Sequence, residues 1–414
     1  MSFEQGLSGL NTSSMSLDVI GNNIANASTV GFKSSSAEFA DVYANAVYGN
    51  TGMQAGIGTQ IAAVAQQFNQ GNITVSNNPL DVAINGNGFF RLSDNGATTY
   101  SRNGQFHLDS NGYLVNNTGQ NVMGYTELTI DPVTGQLSSV STLGNIRIDL
   151  NNIAPNATTT LAIGLNLDAS SAVIASTFDP ADPTTYNYST PATVYDSQGN
   201  SHSLTYYFTK TAANAWTVNA TMDGAASGIT VALTPNALTF NPDGTLATPA
   251  PPATLGIATT GLAPAVNELA VTMDLSGATQ MSGNSGVNSI SQDGYAQGQL
   301  VGVSIGSDGI VFGRYSNNVS RPLQQLLLAN FRNPNGLIPL GNNQWAPSYA
   351  SGSEVLNSPG GGVAGILQSG ATEDSNVDLT NELVNMIVAQ RQYQANAQTI
   401  KTQDQVLQTL VNLR

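Results

Sequence analysis

The chain has 414 residues, 40% of them hydrophobic, which is ample for buried cores and, at ~150 residues per domain, for roughly two to four domains. Charged residues make up only 9%, against a typical ~25%, and the formal net charge is −15. The clustered cations that nucleic acid or an anionic membrane requires are missing, and with Cys at 0 disulfides, zinc–thiolate sites and thiol catalysis are excluded.

From the N-terminus, Met1-Ser2-Phe3-Glu4-Gln5-Gly6-Leu7 lacks a basic stretch followed by an apolar core, so no Sec-type signal is expected. Phe3, Leu7, Leu10, Ser14, Leu17, Gly21 and Ile24 recur at alternating four- and three-residue steps, the spacing of a coiled-coil seam. Ser2 and Gln5 fit a capping box at its start. Gly31, beyond this helix, reads as a left-handed stop, with a hinge as the alternative.

In the middle, alternation and Asn-Gly turns predict strands over 81–86 and 105–114. A second strand series begins near Ile146 and includes 202–208 and the period-two set Trp216, Val218, Ala220 and Met222. Thr248-Pro249-Ala250-Pro251-Pro252 reads as a loop within it. A third group, 298–305 and 310–312, flanks a Ser307-Asp308-Gly309 turn.

At the C-terminus the seam spacing returns through Leu379, Leu383, Met386, Gln390, Tyr393, Ala397, Ile400, Asp404, Leu407 and Val411, with Asp378 as N-cap. Val384, Ile387, Val388, Val406 and Leu410 widen the apolar stripe, so this helix has more than one face to bury. The fold class expected is mainly β with terminal α-helices. If both helices leave the same side of the β body they run antiparallel and pair. Such a pair is thin, and burial against further copies of the chain points to a polymer subunit.

Motifs of catalysis and ligand binding fail on context. Gly302-Val303-Ser304-Ile305-Gly306 matches a nucleophile elbow, but a turn and a strand follow where a helix is needed, and both histidines precede Ser304. Asp109-Ser110-Asn111-Gly112 and Asn241-Pro242-Asp243-Gly244 lack the later acidic ligand of an EF-hand and read as hairpin turns. Gly86-Asn87-Gly88 lacks the third glycine of a dinucleotide loop, and His107 and His202 have no ligand spacing around them. No catalytic residue, metal site or cofactor is expected. Polar Ser14, Gln390 and Asp404 at seam positions are candidate register-setters.

Gly21-Asn22-Asn23-Ile24-Ala25-Asn26-Ala27-Ser28-Thr29-Val30-Gly31-Phe32-Lys33 resembles the N-terminal signature of flagellar rod and hook proteins. Asn22, Asn23, Ala25, Asn26, Thr29, Gly31, Phe32 and Lys33 carry that signature. Asn376-Val377-Asp378-Leu379 through Ala397 looks like its C-terminal counterpart. Asn85-Gly86-Asn87-Gly88-Phe89-Phe90, Ser101-Arg102-Asn103-Gly104-Gln105-Phe106, 194–202 and Asp293-Gly294-Tyr295 are similar to motifs of the bacterial flagellar hook protein family.

The resemblance implies an antiparallel terminal coiled-coil polymerisation domain (1–30 and 372–414), an extended linker (31–71), a discontinuous inner β domain (72–145 and 284–371) and an inserted outer β domain (146–283). Its self-assembly seam would be Phe3, Leu7, Leu10, Leu17, Ile24, Leu379, Leu383, Met386, Tyr393, Ile400, Leu407 and Val411. It implies a structural, non-enzymatic subunit of the curved hook, the universal joint between rod and filament, exported by the flagellar type III apparatus to the cell exterior. The implied partners are further copies of itself, the distal rod protein, the hook cap protein, the hook–filament junction protein, the export apparatus and the hook-length control protein, with neither nucleic acid nor membrane. A distal rod or hook–filament junction protein is the nearest alternative; the long insert over 146–283 argues against the first, and the hook-like motifs of the middle against the second.

Overall fold

The computed structural model describes residues 2–42, 56, 58–130, 137–224, 227–250, 253–262 and 266–412. The chain is mainly β, with one long helix at each end: α1 (Ser2–Ala25) and α2 (Leu379–Asn412). It divides into two compact units. The first comprises Met1–Leu150, Gly302–Gly313 and Arg321–Arg414, and the second Asn151–Val301 and Arg314–Ser320.

In the first unit, α2 runs 34 residues, about 51 Å at 1.5 Å per residue. Asp378 caps it as its sequence position predicts, its Oδ1 accepting from the Thr380 and Asn381 amides at 2.9 and 3.2 Å. The capping box expected of α1 is not formed by Gln5. Its amide Nε2 donates to the Gly56 carbonyl at 2.5 Å, a partner out of sequence reach, while the Ser2 side chain lies outside the described residues.

The segment 31–71 is not an extended linker throughout. Within it, β1 (Ser35–Val42) and β2 (Gly58–Gln66) pair antiparallel, because two strand-length runs side by side satisfy each other's backbone groups. This hairpin packs on α1, where the Ser8 hydroxyl accepts from the Thr59 amide at 3.3 Å.

The main sheet of this unit is centred on Phe89–Asp94, which pairs with Ala97–Ser101 and Asn121–Ile130. Outward from Ala97–Ser101 follow Gln344–Ala346 and the edge strand Ile338–Gly341. Phe89, Tyr100, Phe331 and Trp345 form an aromatic core with Phe68 against it. Its rings meet edge-on at 4.7–6.1 Å between centroids, an arrangement that suits the ring quadrupoles.

Ile146 does not open the inserted body. It is fully buried in the first unit, its amide donating to Val122 and its carbonyl accepting from Leu114, so the second unit starts at Asn151.

The second unit is a β-sandwich. One sheet orders Thr230–Thr234, Thr254–Thr260, Ala270–Asp274, Thr160–Asp168 and Thr279–Met281; the other orders Tyr188–Tyr195, Ser201–Ala212, Ala215–Met222, Ala237–Phe240 and Leu246–Thr248. Alternate residues of both sheets (Leu161, Ile163, Leu165 and Leu167 against Leu204, Tyr206, Phe208 and Trp216) fill one core. The return expected at 283 comes later, because Gly286–Gln292 still pairs with Thr160–Asp168 and completes that sheet's edge. Pro251 and Pro252 of the Pro-rich stretch lie outside the described residues.

Candidate functional site

The terminal helices do pair antiparallel, but through a different face from the one that the spacing predicts. Gly6 lies against Ile400, Gly9 against Asn396, and Asn23 against Glu382. The residues buried on α1 are Gly6, Ser13, Ile20 and Asn23, each one position before the expected seam and so rotated by about 100°. Small residues win because they let the helix backbones approach closely: a Cβ on Gly9 would come within 2.7 Å of the Asn396 side chain.

Half of the apolar residues of the predicted seam are thereby turned outward. Phe3 is 46% exposed, Leu7 44%, and Leu379, Leu383, Tyr393 and Leu407 are similarly open. Leu10, Leu17, Ile24 and Met386 are half-buried, Ile400 reaches the pair contact, and the Val411 side chain lies outside the described residues. Gly21 faces open space. Of the expected register-setters, Gln390 and Asp404 are exposed and Ser14 is only half-buried. The polar groups between the helices are instead Ser13, which accepts from Asn396 at 3.5 Å, and Asn23, which donates to Glu382 at 3.0 Å.

The signature residues gather where the helices meet the β region. Asn26 donates to the Asn22 carbonyl at 3.0 Å, and Thr29 donates to Asn26 Oδ1 at 3.2 Å, closing the end of α1. Asn23 clamps the start of β1, its amide donating to the Ser35 carbonyl and its Oδ1 accepting from the Ser35 amide. Gly31 lies six residues past the end of α1, not at its cap. It has φ +73°, its N–H donates to the Glu373 carbonyl at 2.8 Å, and a Cβ there would meet the Asn103 amide nitrogen at 2.7 Å. Ala25 is exposed and Phe32 half-buried.

Lys33 is the anchor of this joint. Its Nζ donates to Glu373 Oε1 at 2.6 Å and to the Asn69 carbonyl at 2.7 Å. Arg102 closes the other side of the carboxylate, Nε to Oε2 at 2.9 Å, and donates to the Gly86 and Gly88 carbonyls. Burial alone would push the Glu373 carboxyl up, but the Arg102 and Lys33 charges outweigh it and hold the group below its ordinary value. For Lys33 burial is the larger influence, and it lowers the ammonium against the pull of Glu373. Glu373 stands 340 positions from Lys33, so no local pattern announces the pair. The available hint is compositional: where charge is this sparse, a Lys directly after a Gly-Phe turn is a candidate for burial.

The other motifs resolve into structure. Ser304 is exposed on the strand Leu300–Ile305, and the strand Ile310–Tyr315 follows it. Asp109 and Asp243 accept from backbone amides of their own turns, and the Gly86 and Gly88 carbonyls face Arg102. His107 is exposed on a strand. His202 stands between two carboxylates, Nδ1 at 2.6 Å from Asp223 and Nε2 at 3.4 Å from Asp196. Among the described residues no group of three or more His, Asp or Glu is arranged to hold a metal, and no helix is long and apolar enough to cross a membrane.

Four family descriptions match the chain. They are a flagella basal body rod protein segment over 3–33, a flagellar hook protein FlgE/F/G D1 domain over 83–151, a flagellar basal body protein FlaE D2 domain over 165–295, and a flagellar basal body rod FlgEFG protein C-terminal segment over 368–413. The chain is 46% identical to a flagellar hook protein FlgE of Salmonella typhimurium and 45% identical to one of Escherichia coli, over 100% of both chains in each case. It is 35% identical to one of Rhizobium meliloti, over 99% of this chain and 98% of that one. A crystal structure of Helicobacter pylori flagellar hook protein FlgE2 matches 71% of this chain and 99% of that one, at 14% identity and a TM-score of 0.46.

Proposed function

The chain belongs to the flagellar hook protein family, and from that premise we propose that it is the structural subunit that polymerises into the curved tubular hook joining rod to filament. One observation carries the reading beyond the family. The paired terminal helices close on small and polar residues and leave Phe3, Leu7, Leu379, Leu383, Leu407 and their apolar neighbours outward, a stripe that water disfavours and further copies can cover. In this reading the pair lines the axial channel, the outward seam residues become contacts between subunits, and the second unit supplies adaptable interfaces that slide as the hook turns.

The finer parts of the proposal concern delivery and neighbours. Export by the flagellar type III apparatus to the cell exterior suits a chain with no cysteine to cross-link in transit. Contacts with the distal rod, hook cap, hook–filament junction and hook-length control proteins follow from a hook subunit's place in the flagellum. No chemistry is assigned to it.

Removing the segment after Ala397 tests the assignment. A soluble, folded β body that no longer polymerises is expected, and normal tubes from the truncated chain would refute the role of the helices. Leu407→Asp is the smaller version: it puts a charge on the outward stripe and is expected to abolish motility while sparing the monomer's circular dichroism.

A further inference from the structure

The first unit holds a cavity of about 450 Å³ that the helical stripe does not explain. Its walls include Phe68, Phe89, Phe331 and Pro334, with exposed Val355 and Val363 among its lining residues. Arg332 also lines it, is exposed, and has no ion pair or hydrogen bond among the described residues. An apolar cavity with a free guanidinium beside it suits an aromatic side chain that brings a carboxylate with it.

The same unit displays such a group. Phe39 on β1 is 44% exposed, and Asp41, two residues along the strand, shares its face and is also exposed. A register shift in the hairpin falls between Glu38 and Phe39, just before these two residues. Asp41 has no ion pair among the described residues, and Phe39 does not line the cavity of its own chain. We propose that the cavity accepts Phe39 from a second copy of this chain, with Asp41 of that copy meeting Arg332. The proposal rests on the hook-subunit reading.

Charge and position favour this occupant over the other exposed aromatics among the described residues. With 26 acidic residues against 11 basic ones, contacts between copies gain most where a scarce free cation meets an acid. Tyr393 lies two residues from Arg391, a second cation, and Tyr349 has no acid within two positions. Both also carry a hydroxyl that an apolar wall would leave unpaired. Phe3 shares α1 with Leu7 and lies in the outward helical stripe.

Because the chain has no cysteine, introduced thiols report one contact each. Full-length Phe39→Cys and Val363→Cys chains, purified separately, are mixed, polymerised and oxidised. A disulfide-linked dimer in the pelleted polymer, formed by the mixture and by neither chain alone, is expected. Asp41→Arg and Arg332→Asp are each expected to raise the critical concentration for assembly about tenfold or more, and their combination to restore it. Polymers that form without that cross-link, or a Phe3→Cys chain that links to Val363→Cys in its place, would overturn the proposal. So would charge reversals that leave assembly unchanged. If the unsubstituted chain itself fails to polymerise, the subunit reading falls, and this contact with it.

Discussion

Lys33 Nζ and Glu373 Oε1 lie 2.6 Å apart with both side chains wholly buried, which fastens the exit from the first helix to the approach to the last. Arg102 shares the carboxylate from the β region, so one anion holds three separated parts of the chain. Such a site is weak evidence for net stability, but breaking it is costly, because the remaining charges have no water to turn to.

Glu373→Gln therefore leaves two buried cations unpaired and is expected to cost about 3–5 kcal/mol, read by denaturant unfolding of the monomer. The sign with pH follows from the lowered carboxyl. Its contribution is complete above the carboxylate's unfolded pKa and is lost as pH falls through the lower folded value. The Gln variant is expected to show a shallower loss of stability on that acid side than the parent chain.

Gly31→Ala is expected to destabilise the chain by about 1–3 kcal/mol, since φ is +73° and the new methyl would strike the Asn103 backbone. Thermal unfolding measures this. The hinge alternative predicts in addition hooks of altered shape or number, and normal hooks in this variant would remove it.

His202 makes a second pH-dependent contact. Burial alone would lower the imidazole, but hydrogen bonds to Asp223 and Asp196 win and raise its pKa. The stabilisation is complete below the ordinary imidazole pKa and is lost as pH rises through the higher folded value. An NMR titration of His202 is expected to show that raised midpoint, and His202→Gln to flatten the stability profile of the second unit across that range.

Two of the glycines of α1, Gly9 and Gly21, are expected to part company. Gly21→Ala adds a methyl into open space and gains helix propensity, so monomer stability rises by about 0.5–1 kcal/mol. Gly9→Leu drives a side chain into Asn396 and is expected to open the helix pair, lowering the monomer's melting temperature.

Much of the chain was legible before its structure. Asp378 caps α2 because an acceptor before an apolar helical run has one obvious use. Trp216, Val218 and Met222 alternate because the strand Ala215–Met222 is buried on one face. The turns at Asp109 and Asp243 follow equally from local chemistry. Less legible was the extent of each unit. Ile146 and Gly283 read as boundaries, but Ile146 and the strand Gly286–Gln292 each hydrogen-bond segments distant in sequence, and no local signal records such a partner.

The terminal helices divide the two kinds of information most clearly. Sequence alone determined that both ends are amphipathic helices with more apolar surface than one pairing can bury, because periodicity is a local property of the chain. Only the tertiary structure decided which face pairs: Gly6 and Gly9 allow closer approach than Leu7 and Leu10, and the contact turned by one residue. It also decided that Lys33 of the signature is answered by Glu373 and Arg102, since a buried charge must be met by whatever the fold brings within hydrogen-bond reach.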